Sequence, residues 1–202
     1  MDGLALQEIC QRLSLSKGTV YHWLKDLPLQ RKPRYGHNLR SVSTHFKNLR
    51  DAAYACGCEE YKSLATESSF REFLVLYLSE GYRRSRNQVA VGNSNPDLVL
   101  LGHYWIKRLR NPERVIGYQL QYHVDQNPTQ LRRLWSEKLD IQPSQIKLQR
   151  KSNSGGLTGR KWRSVFGILT VRVSDTYLRA RLQAWMDNLS SEWVLLRGEG
   201  KR

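Results

Sequence analysis

The side chains able to do chemistry here fall into two groups, a single carboxylate and a set of amides and cations. The carboxylate is Glu80, which stands two residues beyond the apolar run Phe73–Leu78 and is followed at once by Gly81. One carboxylate is a poor metal site, because divalent cations such as Mg²⁺ and Ca²⁺ take six or more oxygen ligands. The second group lies further along. Gln119, Gln121, His123, Lys147, Gln149 and Lys151 occupy every other position of two alternating stretches. Amides match the major-groove edge of adenine, and cations match guanine and phosphate. A polar outer face is also what any half-exposed sheet shows. The basic loop that follows, S-N-S-G-G-L-T-G-R-K with Arg160 and Lys161, favours DNA.

These groups need elements to hold them. Ser69 with Glu72 three residues on makes a capping box, which predicts a helix start. Phe70, Phe73, Leu74, Leu76, Tyr77 and Leu78 then cover nearly the whole circumference, predicting burial on two sides. A short strand follows around Val89 and Val91. Asn95-Pro96-Asp97 and Asn127-Pro128 predict two helix starts, each with a polar cap before proline. Leu98, Leu101, Trp105, Ile106 and Leu109 face inward on the first, and Leu131, Leu134 and Trp135 on the second. Between them Arg114–Val124 alternates, with Ile116, Tyr118, Leu120, Tyr122 and Val124 opposed to Gln119, Gln121 and His123. Gln145–Lys151 and Ser164–Ser174 read as two further strands. Asp175 caps a last helix carrying Tyr177, Leu178, Leu182, Trp185, Met186 and Leu189. This order predicts an α+β domain over residues 67–193, a sheet with helices on one face.

The nonapeptide F-L-V-L-Y-L-S-E-G, Phe73 to Gly81, resembles the signature helix of the LAGLIDADG homing endonucleases. The intein branch of that family often reads close to L-L-G-Y-Y-L-A-E-G. Glu80 falls on the family's acid and Gly81 on its final glycine, while Val75 departs from a position usually small. The resemblance spans roughly 67 to 193, with an added helix at 128–139. It implies a sheet whose free face is a saddle over the major groove. It also implies a homodimer packed through Phe73, Leu74, Tyr77 and Leu78, with a near-palindromic target. Active members hold metal between two such acids, so Glu80 of each copy would bind Mg²⁺ and cut both strands. Lys151 and Lys161, near strand ends, are the candidate catalytic lysines. Binding alone implies no cofactor.

The first residues carry a different signal. Leu6, Ile9, Cys10 and Leu13 form one helical stripe over Leu4–Leu13, and Ser14-Leu15 makes a turn. Ser16 caps a second helix, Lys17–Leu27, with Val20, Trp23 and Leu24 inward. Two short helices joined so tightly describe a helix-turn-helix. The wording E-I-C-Q-R-L-S-L-S-K-G-T-V-Y-H-W-L resembles the resolvase or regulator type, whose second helix enters the major groove. Lys17 and Lys25 would then take phosphates, while Thr19, Tyr21 and His22 reach base edges. Residues 1–29 form this small all-α domain, which is too small to stand unaided. Either residues 39–63 fold back to complete it, or the true start lies upstream of Met1. Residues 30–66 are a basic linker and a bridging helix. Pro28–Gly36, with Arg31 and Lys32, is extended, and reads equally as a groove-following arm or a plain tether. Leu39 to Leu64 is helical, with Gly57 a point where it could break. Residues 194–202 read as a basic tail. A sporulation-regulator family of actinobacteria joins the LAGLIDADG fold to a helix-turn-helix and binds DNA without cutting it. Its members tend to have lost the acid, which this chain keeps.

The whole-chain numbers agree with a nucleic-acid partner. Lys and Arg number 33 against 18 Asp and Glu, a formal charge of +15. No run approaches a membrane span and no signal pattern opens the chain, predicting a cytoplasmic, nucleoid-associated protein with no membrane contact. Cys10, Cys56 and Cys58 are odd in number, and C-G-C is too tight for a zinc knuckle. The expectation is a sequence-specific, homodimeric double-stranded DNA-binding protein, a regulator or mobile-element protein. The alternative is an active Mg²⁺-dependent endonuclease. A recombination accessory factor is the third reading.

Overall fold

In the computed structural model, which describes residues 6–25, 27, 39–151 and 164–199, the chain divides into two units, Met1–Val42 and Ser43–Arg202. The smaller holds α1 (Leu6–Leu13) and α2 (Lys17–Leu24). Ser14, at φ 53°, turns the chain between them, and Ser16 caps α2 by accepting from the Thr19 amide at 3.2 Å. The helix pair is the one expected, although α2 ends at Leu24 rather than Leu27. Val20 is buried, but Trp23, expected inward, is 59% exposed. Two eight-residue helices carry too little apolar surface to enclose an indole.

The larger unit takes most of α3 (Leu39–Leu64), then α4 (Ser68–Glu80), β1 (Gln88–Asn93), α5 (Pro96–Leu109) and β2 (Ile116–Tyr122). It continues with α6 (Pro128–Leu139), β3 (Ile146–Arg150), β4 (Ile168–Ser174) and α7 (Thr176–Glu199). The class is α+β, as predicted. Asn95 and Asn127 cap α5 and α6 by accepting amides at 2.9 and 3.0 Å, with proline in the first turn. Asp175 caps α7 through the Leu178 amide at 2.9 Å. Helix α4 differs from expectation. It starts at Ser68 with Glu67 at its N-cap and no side-chain cap, rather than at a Ser69–Glu72 box. Arg108 of α5 takes the Glu67 carboxylate at 2.6 and 2.7 Å, which holds that carboxyl below its usual range.

The sheet order is β1-β4-β2-β3. Strands β1 and β2 run antiparallel to β4, and β2 runs parallel to β3. A parallel pair needs a crossover, which α6 supplies. Alternation puts Val89, Val91, Leu120, Leu169, Val171 and Val173 on one face, and all six are core. Helices α4, α5, α6 and α7 cover this face. At its centre Phe70 meets Trp105 and Trp185 edge-on, at 5.0 and 5.3 Å between ring centroids. Helix α3 runs unbroken through Gly57, the point where the sequence allowed a break. A Cβ there would stand 2.9 Å from the Arg181 backbone, so glycine is what lets α3 cross α7 so closely. Arg181–Glu60 and Tyr61–Glu192 bonds, at 2.7 and 2.8 Å, pin that crossing. Helix α7 itself runs to Glu199, through positions expected as a tail. Among the described residues no helix is long and apolar enough to cross a membrane.

One buried pair ties α5 to β2. His103 Nε2 and the Tyr118 hydroxyl are 3.0 Å apart, and both residues are buried. Burial, helped by the Lys107 charge, pushes the imidazole down to about 4, so it is neutral in the folded chain. Unfolded, it takes a proton near pH 6.5. Stability is therefore complete above pH 6.5 and declines as pH falls toward about 4, by about 3 kcal/mol in all. Urea midpoints measured across that range should drop in step, and His103→Gln should flatten this part of the fall.

Candidate nucleic-acid interface

Apart from Ile168, the opposite face of the sheet is made of short and polar side chains. Cross-strand register sets Gln119 between Thr170 and Lys147, and Gln121 between Ile168 and Gln149. Arg172 stands opposite Ala90 on one side and Gly117 on the other. Opposed residues share a face, so these form rows across the sheet. Gln149 Oε1 accepts from Gln121 Nε2 at 3.2 Å and from Gln119 Nε2 as well, tying three amides together. Small residues keep the floor low. A Cβ on Gly92 would lie 2.8 Å from Thr170 Oγ1, and one on Gly117 would lie 3.4 Å from Arg172 Nε. The side chains of Thr170 and Arg172 thus lie across the two glycines.

The chain leaving α4 extends the β1 edge. Gly81 bridges to Val91, and the Tyr82 amide donates to the Ala90 carbonyl at 2.9 Å. Only glycine fits first, since a Cβ there would stand 2.3 Å from the Tyr77 carbonyl oxygen and 2.6 Å from its ring. Gly81 shares the core face with Val91, so alternation turns Tyr82 outward beside Ala90, where it is 47% exposed. At the other edge Lys147 is exposed on this face of β3, and Arg150 is exposed on the opposite face, level with Tyr122. Lys151 follows half-buried, its amide bonded to the Tyr122 carbonyl at 3.0 Å. Four strands spaced about 4.8 Å apart make a platform about 14 Å wide, close to the roughly 12 Å of a major groove.

Of the expected readers, Gln119, Gln121, Lys147 and Gln149 share this face. His123 does not. Strand β2 stops at Tyr122, and His123 is buried in the turn to α6, where its amide donates to Gln126 Oε1 at 2.8 Å. Thr170, Arg172 and Tyr82 join the face unforeseen. The alternation of I-L-T-V-R-V-S carries the first two; Tyr82 has no local signal, since its direction comes from pairing with β1. Lys17, Tyr21 and His22 on α2, and Lys25 just past its end, are exposed. The Thr19 hydroxyl instead lies 2.8 Å from Ser16 Oγ as part of the cap. Arg31, Lys32, Arg160 and Lys161 lie outside the described residues.

Glu80 is the last residue of α4 and is exposed. Among the described residues no three His, Cys, Asp or Glu side chains gather where they could hold a metal ion. A single carboxylate does not fit Mg²⁺, and no cutting step follows from it. The residues expected at a seam between copies are taken up by the chain itself. Phe73, Leu74 and Tyr77 are buried within the chain's own core and Leu78 is half-buried, because α5, α7 and β1 already pack on α4. Val75 is the apolar residue that this helix leaves 46% exposed.

Compared with protein-family models, curated proteins and solved structures, the chain matches none.

Proposed function

We propose that this protein binds double-stranded DNA selectively, as a regulator or mobile-element protein, reading bases with the outward sheet face and with α2. The carrying observation is the platform itself: amides, a hydroxyl and Arg172 at the centre, with cations on the β3 edge. Glutamine pairs bidentately with adenine and arginine with guanine, whereas edge cations suit phosphates. A formal charge of +15 adds the sequence-independent attraction that such binding draws on. Lys17 on α2 and Lys25 just past its end supply further phosphate contacts in the same reading.

The test selects bound duplexes from a random library, then compares the recovered site with a scrambled one over a salt series containing Mg²⁺. The recovered site should be preferred by about 10³-fold or more. Log affinity should fall linearly with log salt, by about 0.9 per phosphate contacted. DNA that stays intact supports the regulator reading. Cutting that Glu80→Gln abolishes would assign the endonuclease alternative instead. A flat salt response, or no preferred site, overturns the proposal.

A further inference from the structure

Between α4 and β1 the chain reads Y-R-R-S-R-N, Tyr82 to Asn87, with Arg83, Arg84 and Arg86 all exposed. Elsewhere in this unit Arg71, Arg108, Arg133 and Arg181 each hold a glutamate. Among the described residues none of the three loop arginines is paired with a carboxylate. The loop is nonetheless held from beneath. Arg179, only 7% exposed, donates to the Ser85 carbonyl at 3.2 Å and the Arg83 carbonyl at 3.3 Å. Its remaining arm donates to Gln183 Oε1 at 3.1 Å. The Tyr77 hydroxyl donates to the Tyr82 carbonyl at 3.0 Å, and the Asn87 amide to Ser85 Oγ at 3.3 Å. A buried cation and a buried phenol thus take up the loop's carbonyls, while three guanidinium groups are left facing solvent. Clustering four arginines without a counter-charge costs stability unless a polyanion supplies it.

From these contacts we infer that the Tyr82–Asn87 loop is a pre-ordered phosphate-binding site, gripping the backbone of the duplex that the sheet face reads. The inference rests on the DNA-binding proposal and adds a site to it. Tyr82 pairs directly with β1, so the loop stands at that edge of the platform. A platform about 14 Å wide laid over a major groove about 12 Å wide sets one phosphate wall beneath each edge. Lys147, on the reading face, meets the wall at β3. Strand β1, Q-V-A-V-G-N, has no cation of its own, and the arginine loop supplies the missing ones.

The deciding experiment measures the slope of log affinity against log salt for wild type, for each single arginine-to-glutamine variant, and for R83Q/R84Q/R86Q. Each replacement should make the slope shallower by about 0.9, and the triple by up to about 2.7. Preferred and scrambled duplexes should weaken by the same factor, leaving selectivity unchanged. Gln119→Ala/Gln149→Ala, run alongside, should lose selectivity at an unchanged slope. A wild-type slope in the singles and the triple overturns the loop while leaving the DNA reading standing. Failure of the wild-type chain to bind duplex DNA at all removes both.

Discussion

Replacing Phe73 by alanine should lower the unfolding free energy of the larger unit by about 3–5 kcal/mol, at any protein concentration. Phe73 is 1% exposed, stacks on Trp105 at 6.4 Å and leans on Tyr77 at 6.2 Å. Neither neighbour can collapse into the space left behind, because Trp105 also packs on Phe70, and Tyr77 is fixed by its bond to Tyr82. At about 2–4 °C per kcal/mol, the thermal midpoint should fall by roughly 6–20 °C. Val75→Ala, on the exposed side of the same helix, should cost about 0.5 kcal/mol. Denaturation at two protein concentrations separates this arrangement from a seam between copies. A seam would make the midpoint rise with concentration and make Val75 expensive. A neutral Phe73→Ala would contradict the core described above.

Which features were legible in the sequence follows from how local their causes are. Asn95, Asn127 and Asp175 announce their helices because a cap bonds amides two or three residues away. Gln119, Gln121, Lys147 and Gln149 were found by alternation, a property of each strand alone. Glu67 was missed as the start of α4 because its partner, Arg108, lies far along the chain. His123 was misplaced because alternation does not say where a strand stops. Gly57 reads as a helix breaker by propensity, a cost of about 1 kcal/mol, but its close crossing with Arg181 outweighs that. The apolar circumference of α4 did predict burial on two sides. Periodicity says that a face is covered and not by what, so α5 and α7 could not be told from a second copy.

The widest change in function should come from Gln119, Gln149 and Arg172 replaced together by alanine, which should bring affinity for the preferred site down to that for a scrambled one. A bidentate base contact is worth about 1–3 kcal/mol of discrimination. Three of them approach the roughly 4–10 kcal/mol that separates specific from non-specific binding. The sum will not be fully additive, because Gln149 Oε1 accepts from both Gln119 and Gln121. For the same reason Gln149→Ala alone should cost more selectivity than Gln121→Ala, since it frees two neighbouring amides from their shared acceptor. Arg172→Lys provides the control on chemistry. It keeps the charge, and so the salt slope, but loses the planar fork that would lie across Gly117 to meet guanine. Competition binding at one salt concentration, with unfolding midpoints checked beside it, reads all of these. Selectivity that survives the triple replacement would take base reading away from the sheet and leave it to α2.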